Sequence, residues 1–451
     1  MKLTRLSLAA LVAMGAMTCA NAKTSLEEAI KGTTISGYAY GQMTSMFGDD
    51  ASGNAFRSRL YANVNTGSIG GFSLGTTVFA SMGQSAPNGG KFLANSTTDG
   101  SVAGALDMGL LSLSGKMDFT EYGSKTTLIG GKTNIMTAFN DNAWDFGYGI
   151  YASNEDIEGV KFSAQVFGAW TLDNENAIGT LGSDGVISYR DGISTDHPLY
   201  IVGVEAGGEK LAGASVKFYA GHATKMIDYM AAADISYTIA GVTIQSQVAV
   251  LDADVNNSTF AYSLSNNDLS ANLRGLYNIQ LAYSNKDVGF SAKGGFTGSF
   301  GDGYGALLNY ASFNMGGQFW YDTVSSRNGY GLTGAGGYKY LGTDASVHNT
   351  DIMVGYVGVT YTGVKSLKLG LDYAYVGGNN NYALMKKGIA NTSNTSKMNV
   401  GKTNMNATFH EVSFTASYGF FDNKLTLSGL IGSTFGDLQM ARGRVKVQYS
   451  F

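Results

Sequence analysis

The cationic residues best placed to act on a solute form two short series. Arg57 and Arg59 stand two positions apart, and Arg442, Arg444 and Lys446 repeat that spacing. Side chains two positions apart on a β-strand lie on the same face. A series of guanidinium and ammonium groups on one face attracts anions and orients the dipoles of water. If the segments that carry them are strands on either side of a third strand in one sheet, these side chains form one cationic wall on a face of that sheet.

Acidic residues are concentrated between positions 141 and 158: Asp141, Asp145, Glu155, Asp156 and Glu158. If the first part of this segment folds inward, Asp141 and Asp145 face the cationic wall. Opposed charges across a narrow pore create a transverse field, and a ring of acids favours cations over anions. The alternative is that these charges are solvated loop and lumen residues with no role in selectivity. The spacing alone leaves both interpretations open.

Sequence motifs of enzymes occur only as fragments. Gly329, Gly331 and Gly334 have the spacing of a dinucleotide-binding turn, but they lie in a predicted long loop with no helix after it. Gly131–Thr133 and Gly401–Thr403 resemble half of a phosphate-binding loop, and each lacks the earlier glycine. The four histidines are scattered, with no nearby acid and serine: His197, His222, His348 and His410. We therefore predict that the protein is not an enzyme.

Short segments in which apolar and polar residues alternate recur along the whole chain. In the last segment, Val445, Val447, Tyr449 and Phe451 share one parity, and the other parity is polar or charged. Because side chains alternate across a strand, each such segment has one apolar and one polar face. The same pattern is found in residues 160–166, 242–248, 277–284 and 367–375.

An ordinary antiparallel sandwich also alternates, but three features favour a membrane barrel. Many segments run for about 10 to 12 residues, which suits a tilted crossing of a bilayer. The polar face is rich in Gln, Asn, Ser and Lys, and the apolar face often ends in an aromatic residue: Trp170, Tyr283, Tyr375 and Tyr449. Only a closed barrel pairs every backbone group in lipid without helices. We predict an all-β fold, a transmembrane antiparallel β-barrel.

The predicted connections alternate in length, as short periplasmic turns and long extracellular loops do. The short links are 67–71, 208–211, 284–287, 362–365 and 420–423, and the long links are 82–103, 172–198, 252–270, 323–349 and 377–407. The pattern gives an even number of about 16 to 20 strands. We expect an inward-folding constriction loop over 133–146 and a mobile surface loop over 378–407. Ser25 and Glu28 predict a capped helix over Leu26–Lys31, followed by a first strand over Thr33–Met46.

The first residues are typical of an export signal. Lys2 and Arg5 precede the apolar stretch Leu6–Ala16, and Ala20–Ala22 has the small-x-small pattern of a cleavage site. We therefore predict a signal peptide over 1–22 and a barrel domain over 23–451. The one cysteine, Cys19, lies in the predicted signal, and Met17-Thr18 before it fits lipidation poorly.

The composition bears on two classes of protein. The chain has 63 Gly, 27 Tyr and 23 Phe with only 14% charged residues, which excludes a disordered chain. The net charge of −4 argues against nucleic acid as a partner.

The alternating residues Val445, Val447, Tyr449 and Phe451 are also typical of the signal by which barrel-assembly machinery recognises its clients. The alternative is a strand with an apolar face and no further role. We expect that loss of Phe451 reduces insertion of the barrel.

Several of these segments resemble the Campylobacter-type major outer membrane protein family, which are porins. The matching residues are Met1–Leu3, Leu26–Lys31, Gly131–Lys132, Asp141–Asp145, Gly355–Val357, Gly370–Gly378 and the aromatic end of the chain. The region from about Gly179 to Asn349 shows no such match.

This resemblance implies a homotrimeric general porin of about 18 strands with a modest preference for cations. It also implies a divalent cation, calcium, at the narrowest part of the pore, with Asp145 as one ligand. Asp173 and Glu175 lie in the corresponding region for further ligands, although the loop after Trp170 departs from the family pattern.

The function predicted from the sequence is a general diffusion porin of the bacterial outer membrane, mildly cation-selective, for small hydrophilic solutes and ions. No cofactor is required on this interpretation. The expected partners are outer-membrane lipid, lipopolysaccharide, the assembly machinery and two further copies of the chain. The alternative is a surface adhesin whose long loops bind a host component and whose barrel is mainly an anchor.

Overall fold

The structure is a computed structural model that describes most, but not all, of the chain. The described residues are 25–49, 53–87, 106–137, 140, 142, 145–171, 197–208, 211–254, 271–308, 313–318, 320, 349–380, 382 and 406–451. The predicted signal peptide, residues 1–22, lies outside them.

The chain enters the barrel through one short helix, α1 (Leu26–Lys31). Ser25 and Glu28 form the predicted capping box: the Ser25 hydroxyl accepts from the backbone N–H of Glu28, and the Glu28 carboxylate accepts from the backbone N–H of Ser25. These bonds satisfy N–H groups that a helix start leaves unpaired. The Gly67 N–H donates to the Ala29 carbonyl and attaches the helix to the turn formed by residues 66–71.

In the described part of the chain the long elements are strands, and the sheet that they form closes on itself. Each strand pairs with its sequence neighbours, and β1 pairs with β18, so the 18 antiparallel strands form one barrel. The strands are β1 Thr34–Gly48, β2 Gly53–Asn65, β3 Phe72–Pro87, β4 Leu106–Asp118, β5 Thr126–Asn134, β6 Phe146–Asn154, β7 Val160–Thr171, β8 Leu199–Ala206, β9 Ala214–Ala223, β10 Ile227–Ile239, β11 Val242–Ala253, β12 Leu273–Asn285, β13 Phe290–Gly301, β14 Met353–Tyr361, β15 Leu367–Gly377, β16 Phe409–Phe420, β17 Leu425–Gly436 and β18 Met440–Ser450. The predicted fold class is confirmed.

The two ends of the barrel differ in the length of their connections. At one end every link is short, and the turns after β2, β8, β12, β14 and β16 lie where short links were predicted. We call this the short-turn end. The opposite end carries the long connections. It also has three short links, after β1, β9 and β17, which the alternation of apolar and polar residues did not predict.

Side chains alternate between an apolar outer face and a polar inner face, as predicted. On β12, Ile279 is 57% exposed on the outer face, whereas its neighbour Asn278 is fully buried inside. An outer surface covered by large apolar side chains is unfavourable in water and suits lipid. Among the described residues, no helix is long and apolar enough to cross a membrane.

Two predictions about element ends are wrong. Trp170 was expected on the outer face, but it is fully buried, and its Nε1 donates to the His197 carbonyl over 2.8 Å. The reason is a β-bulge: Gly149 pairs with Phe167 and Tyr148 pairs with Ala169, so Gly168 is an extra residue that reverses the parity.

The second error concerns the connection after β13. The predicted long link was 323–349, but β13 ends at Gly301 and β14 begins at Met353. Residues 302–322 contain apolar residues at strand-like spacing. Part of this connection is buried inside the barrel, so its composition resembles that of the strands.

Gly37 and Gly41 on β1 give a test of barrel closure. A Cβ at Gly37 would overlap the Tyr61 carbonyl oxygen on β2, whereas a Cβ at Gly41, on the same face, would have its nearest neighbour at 3.9 Å. We expect Gly37→Ala to destabilise the folded barrel by about 1–3 kcal/mol through overpacking. Gly41→Ala is the matched control and should leave stability unchanged. Thermal unfolding in detergent, followed by the shift in electrophoretic mobility, measures both; equal midpoints would contradict this packing.

Candidate functional site

The cationic residues predicted from sequence are brought together on the inner face of the barrel. β1 lies between β2 and β18, with Gln42 paired to both Arg57 and Lys446. Below this level Tyr40 pairs with Arg59, and above it, toward the end opposite the short turns, Thr44 pairs with Arg444.

Met46 pairs with Arg442, which is the highest cation of the series. Successive levels along a strand are about 7 Å apart, so the cations follow β1 for much of its length. We call Arg57, Arg59, Arg442, Arg444 and Lys446 the basic strip.

Tyr40 is the aromatic centre of the lower part of the basic strip. The Lys446 Nζ lies 4.5 Å from the Tyr40 ring centroid, and the Arg59 Cζ lies 5.6 Å from it. These are cation–π distances. Arg59 and Arg442 are almost fully covered by their neighbours, whereas Arg57, Arg444 and Lys446 are only partly covered. The strip therefore combines positions packed into the wall with positions open to the lumen.

The described part of the loop between β5 and β6 lies against the inner wall at β7. Gln165 accepts from the backbone N–H of Met136 and donates through Nε2 to the Met136 carbonyl, over 3.0 and 2.7 Å. The backbone N–H of Ile135 donates to the carbonyl of Asp145 over 3.0 Å and closes the base of the loop. Gln165 is itself an inward-facing residue, so this part of the loop follows the lumen wall.

Of the two predicted acids, Asp145 lies within the described residues. Asp145 is fully buried, so its side chain does not face open water. Asp141 lies outside the described residues, and so do Asp173 and Glu175. Their role opposite the basic strip stays a prediction.

The described residues do not by themselves make a calcium site. Calcium takes about six to eight oxygen ligands. Within the described ranges, no group of three or more His, Cys, Asp or Glu side chains is placed to hold a metal ion. Asp145 as a calcium ligand therefore stays a prediction from the family resemblance, and we derive no step through the ion.

A second chain segment, missed in the sequence, lies inside the barrel. Residues 313–318 with Trp320 belong to the connection after β13, and we call them the inner segment. Asn314 donates through its backbone N–H to Gln247 and through Nδ2 to Gln245, both over 2.8 Å. Its carbonyl accepts from the Thr297 hydroxyl over 2.7 Å. The inner faces of β11 and β13 therefore hold one end of the segment.

Glu411 on β16 holds the other end. Its two carboxylate oxygens accept from the backbone N–H groups of Gln318, over 2.6 Å, and Trp320, over 2.7 Å. Gln318 also donates through Nε2 to Asp372 on β15 over 2.7 Å. Glu411 is fully buried. Hydrogen bonds to a buried carboxylate are strong, so Glu411 is the main polar anchor of the inner segment.

Aromatic packing supports this anchor. The Trp320 ring lies 6.0 Å from that of Tyr382 and 6.1 Å from that of Phe409, both edge to face. All three side chains are fully buried. The inner segment is thus held by packing as well as by hydrogen bonds. Because it lies inside the barrel, it reduces the open cross-sectional area of the lumen.

Sequence reasoning missed Glu411, Asp372 and the glutamines of β11 as a docking site. The usable signal was weak: Glu411 is an acid at an inward position of a strand, and Gln245 and Gln247 are inward amides. Nothing in the alternation distinguishes an inward polar residue that faces water from one that binds a loop.

Comparison with known proteins agrees with this architecture. The family model described as the Campylobacter major outer membrane protein matches residues 1–449. No curated protein matches the sequence.

Several solved structures share the fold at low sequence identity. Pseudomonas aeruginosa OccK8 (OprE) is 12% identical, with a TM-score of 0.59 over 94% of this chain and 99% of that chain. Acinetobacter baumannii OccAB1 is 10% identical, with a TM-score of 0.61 over 96% and 99%. Pseudomonas aeruginosa OccK9 (OpdG) is 12% identical, with a TM-score of 0.61 over 94% and 99%. Because the family model covers almost the whole chain, the chain belongs to the Campylobacter major outer membrane protein family, as a porin-type β-barrel of the bacterial outer membrane.

Proposed function

We propose that this barrel is a general diffusion channel for small hydrophilic solutes and ions. The observation that carries the proposal is the polar inner face of a closed 18-stranded barrel. Barrels of about 16 to 18 strands leave an aqueous channel, whereas about eight strands are filled by their own side chains. The family and the fold point to a channel rather than an enzyme.

The basic strip supports passage of water and ions along the wall. Charged side chains facing a wet lumen cost little, whereas the same residues facing lipid would cost about 2–4 kcal/mol at the midplane. All five cations of the strip face inward on β2 and β18. A protein that used its barrel only as an anchor for adhesive loops would need neither the strip nor so many strands, so the adhesin alternative is not favoured.

A cation preference has no support among the described side chains. The basic strip is cationic, and the acids Asp145 and Glu411 are fully buried. The preference, the homotrimer and the contact with lipopolysaccharide therefore stay predictions.

The role of the last strand in assembly is also a proposal. Phe451 and Gly37 exchange backbone hydrogen bonds of 2.9 and 3.0 Å, and Val445, Val447 and Tyr449 face outward on the same strand. The final residue thus takes part in barrel closure. This contact is compatible with recognition of the strand by the assembly machinery.

Single-channel recording of the purified protein in a planar bilayer tests the channel. We expect a stable conductance on the order of a nanosiemens, and a silent bilayer would contradict the proposal.

We further expect Arg57→Gln combined with Lys446→Gln to raise the cation-to-anion permeability ratio by about twofold or more, because two lumen cations are removed. Lys31→Gln, in the exposed helix α1, is the control and should leave the ratio unchanged; a double variant with the wild-type ratio would show that the strip has no influence on permeating ions.

Glu411→Gln tests whether the inner segment narrows the pore. The change removes charge-assisted bonds worth about 1.5–3 kcal/mol each and turns an amide NH2 group toward a backbone N–H. We expect a larger and noisier single-channel conductance because the segment is released from the wall. Thr415→Val, on the same face of β16, is the matched control. Identical conductance and noise in wild type and Glu411→Gln would mean that the segment does not limit the pore.

A further inference from the structure

A charged cavity lies at the short-turn end of the lumen. The residues that line it lie between positions 125 and 217, so none of them belongs to the inner segment. Its volume is about 300 Å³, and three lysines and three glutamates line it. A water molecule takes about 30 Å³ in the liquid, so the cavity has room for a small solute with part of its hydration shell.

The charges of this cavity belong to a row in which the sign alternates from strand to strand. Lys161 on β7 pairs with Glu205 on β8, Glu205 pairs with Lys217 on β9, and Lys217 pairs with Asp234 on β10. Directly opposed residues in antiparallel strands have Cβ atoms about 5 Å apart and lie on the same face. The row is therefore a short ladder of alternating charge on the lumen wall.

The two ends of the row are occupied by other groups of the protein. Asp234 accepts hydrogen bonds from Gln245 and Gln247 at 2.8 to 2.9 Å. Lys161 lies 4.0 Å from the carboxylate of Glu155 in the adjoining turn. Within the described residues, the middle pair, Glu205 and Lys217, makes no ion pair within 4.0 Å, although Lys161 also acts electrostatically on Glu205.

Tyr219 holds one carboxylate oxygen of this middle pair. Its hydroxyl donates to Glu205 Oε1 over 2.5 Å, and Tyr219 is almost fully buried, so the carboxylate is fixed in place. Within the described part of the chain, neither Glu205 Oε2 nor Lys217 Nζ makes a hydrogen bond or an ion pair. An acceptor and a donor of opposite charge thus face one cavity without binding each other.

We propose that this cavity binds small zwitterionic solutes, which carry one ammonium and one carboxylate group as free amino acids do. The ammonium group binds Glu205 and the carboxylate binds Lys217. A solute with a single charge is attracted by one of these two residues and repelled by the other. A neutral solute has no net electrostatic interaction with either residue. The inference rests on the proposed diffusion function and names a solute class that the channel favours at its short-turn end.

The test is the swelling of proteoliposomes that contain the purified protein, in alanine and in lactamide. The two solutes have nearly the same size, but lactamide is uncharged. The alanine-to-lactamide ratio of swelling rates should fall by about threefold in Glu205→Gln and in Lys217→Met, the effect expected for weak, water-exposed charge pairs. Lys217→Arg keeps the positive charge opposite Glu205 and Asp234 and should leave the ratio near the wild-type value.

Lys116→Met removes a lumen lysine that does not line the cavity and should leave the ratio at the wild-type value. A ratio that is unchanged in both single variants, while their conductance in KCl is normal, would overturn the zwitterion site alone. A Lys217→Arg variant whose ratio falls as far as that of Lys217→Met would also overturn it. Wild-type protein with no conductance would instead overturn the channel itself, and this inference with it.

Discussion

The structure depends on one constraint: backbone groups that face lipid must find their hydrogen-bond partners within the protein. Closure of β1 between β2 and β18 satisfies it, because no sheet edge remains between the first and the last strand. Once the sheet is closed, alternation along each strand assigns every second side chain to lipid and the rest to the lumen. The basic strip and the charged row of β7 to β10 both follow from that division.

The inner face serves two purposes in this barrel. Some of its polar residues face water, such as Lys446 and Lys217, and others bind chain that has folded inward, such as Gln165, Gln247 and Glu411. The residues that bind inward-folded chain are buried, and their side chains are hydrogen-bonded to the backbone of that chain. The shape of the passage is therefore set as much by side chains that hold loops as by the number of strands.

Sequence reasoning predicted the features that repeat, and missed those that occur once. The period of two placed Val445 outside and Lys446 inside, and the capping box at Ser25 predicted helix α1, because each pattern has one local cause. Trp170 was misplaced because a single bulge residue reverses parity without a compositional signal. The docking of the inner segment on Glu411 depends on residues about 90 positions apart in sequence, which no local pattern contains.

The most direct test of the account is chemical access to neighbouring residues of β18. With Cys19 replaced by serine, since it is the one cysteine in the sequence, cysteine is introduced at Lys446 in one variant and at Val447 in another. A charged, membrane-impermeant thiol reagent is then applied to the protein in a bilayer. The account predicts rapid labelling and a fall in current for the residue 446 variant and no reaction at 447. Equal labelling at both positions would contradict a strand with lipid on one side and water on the other.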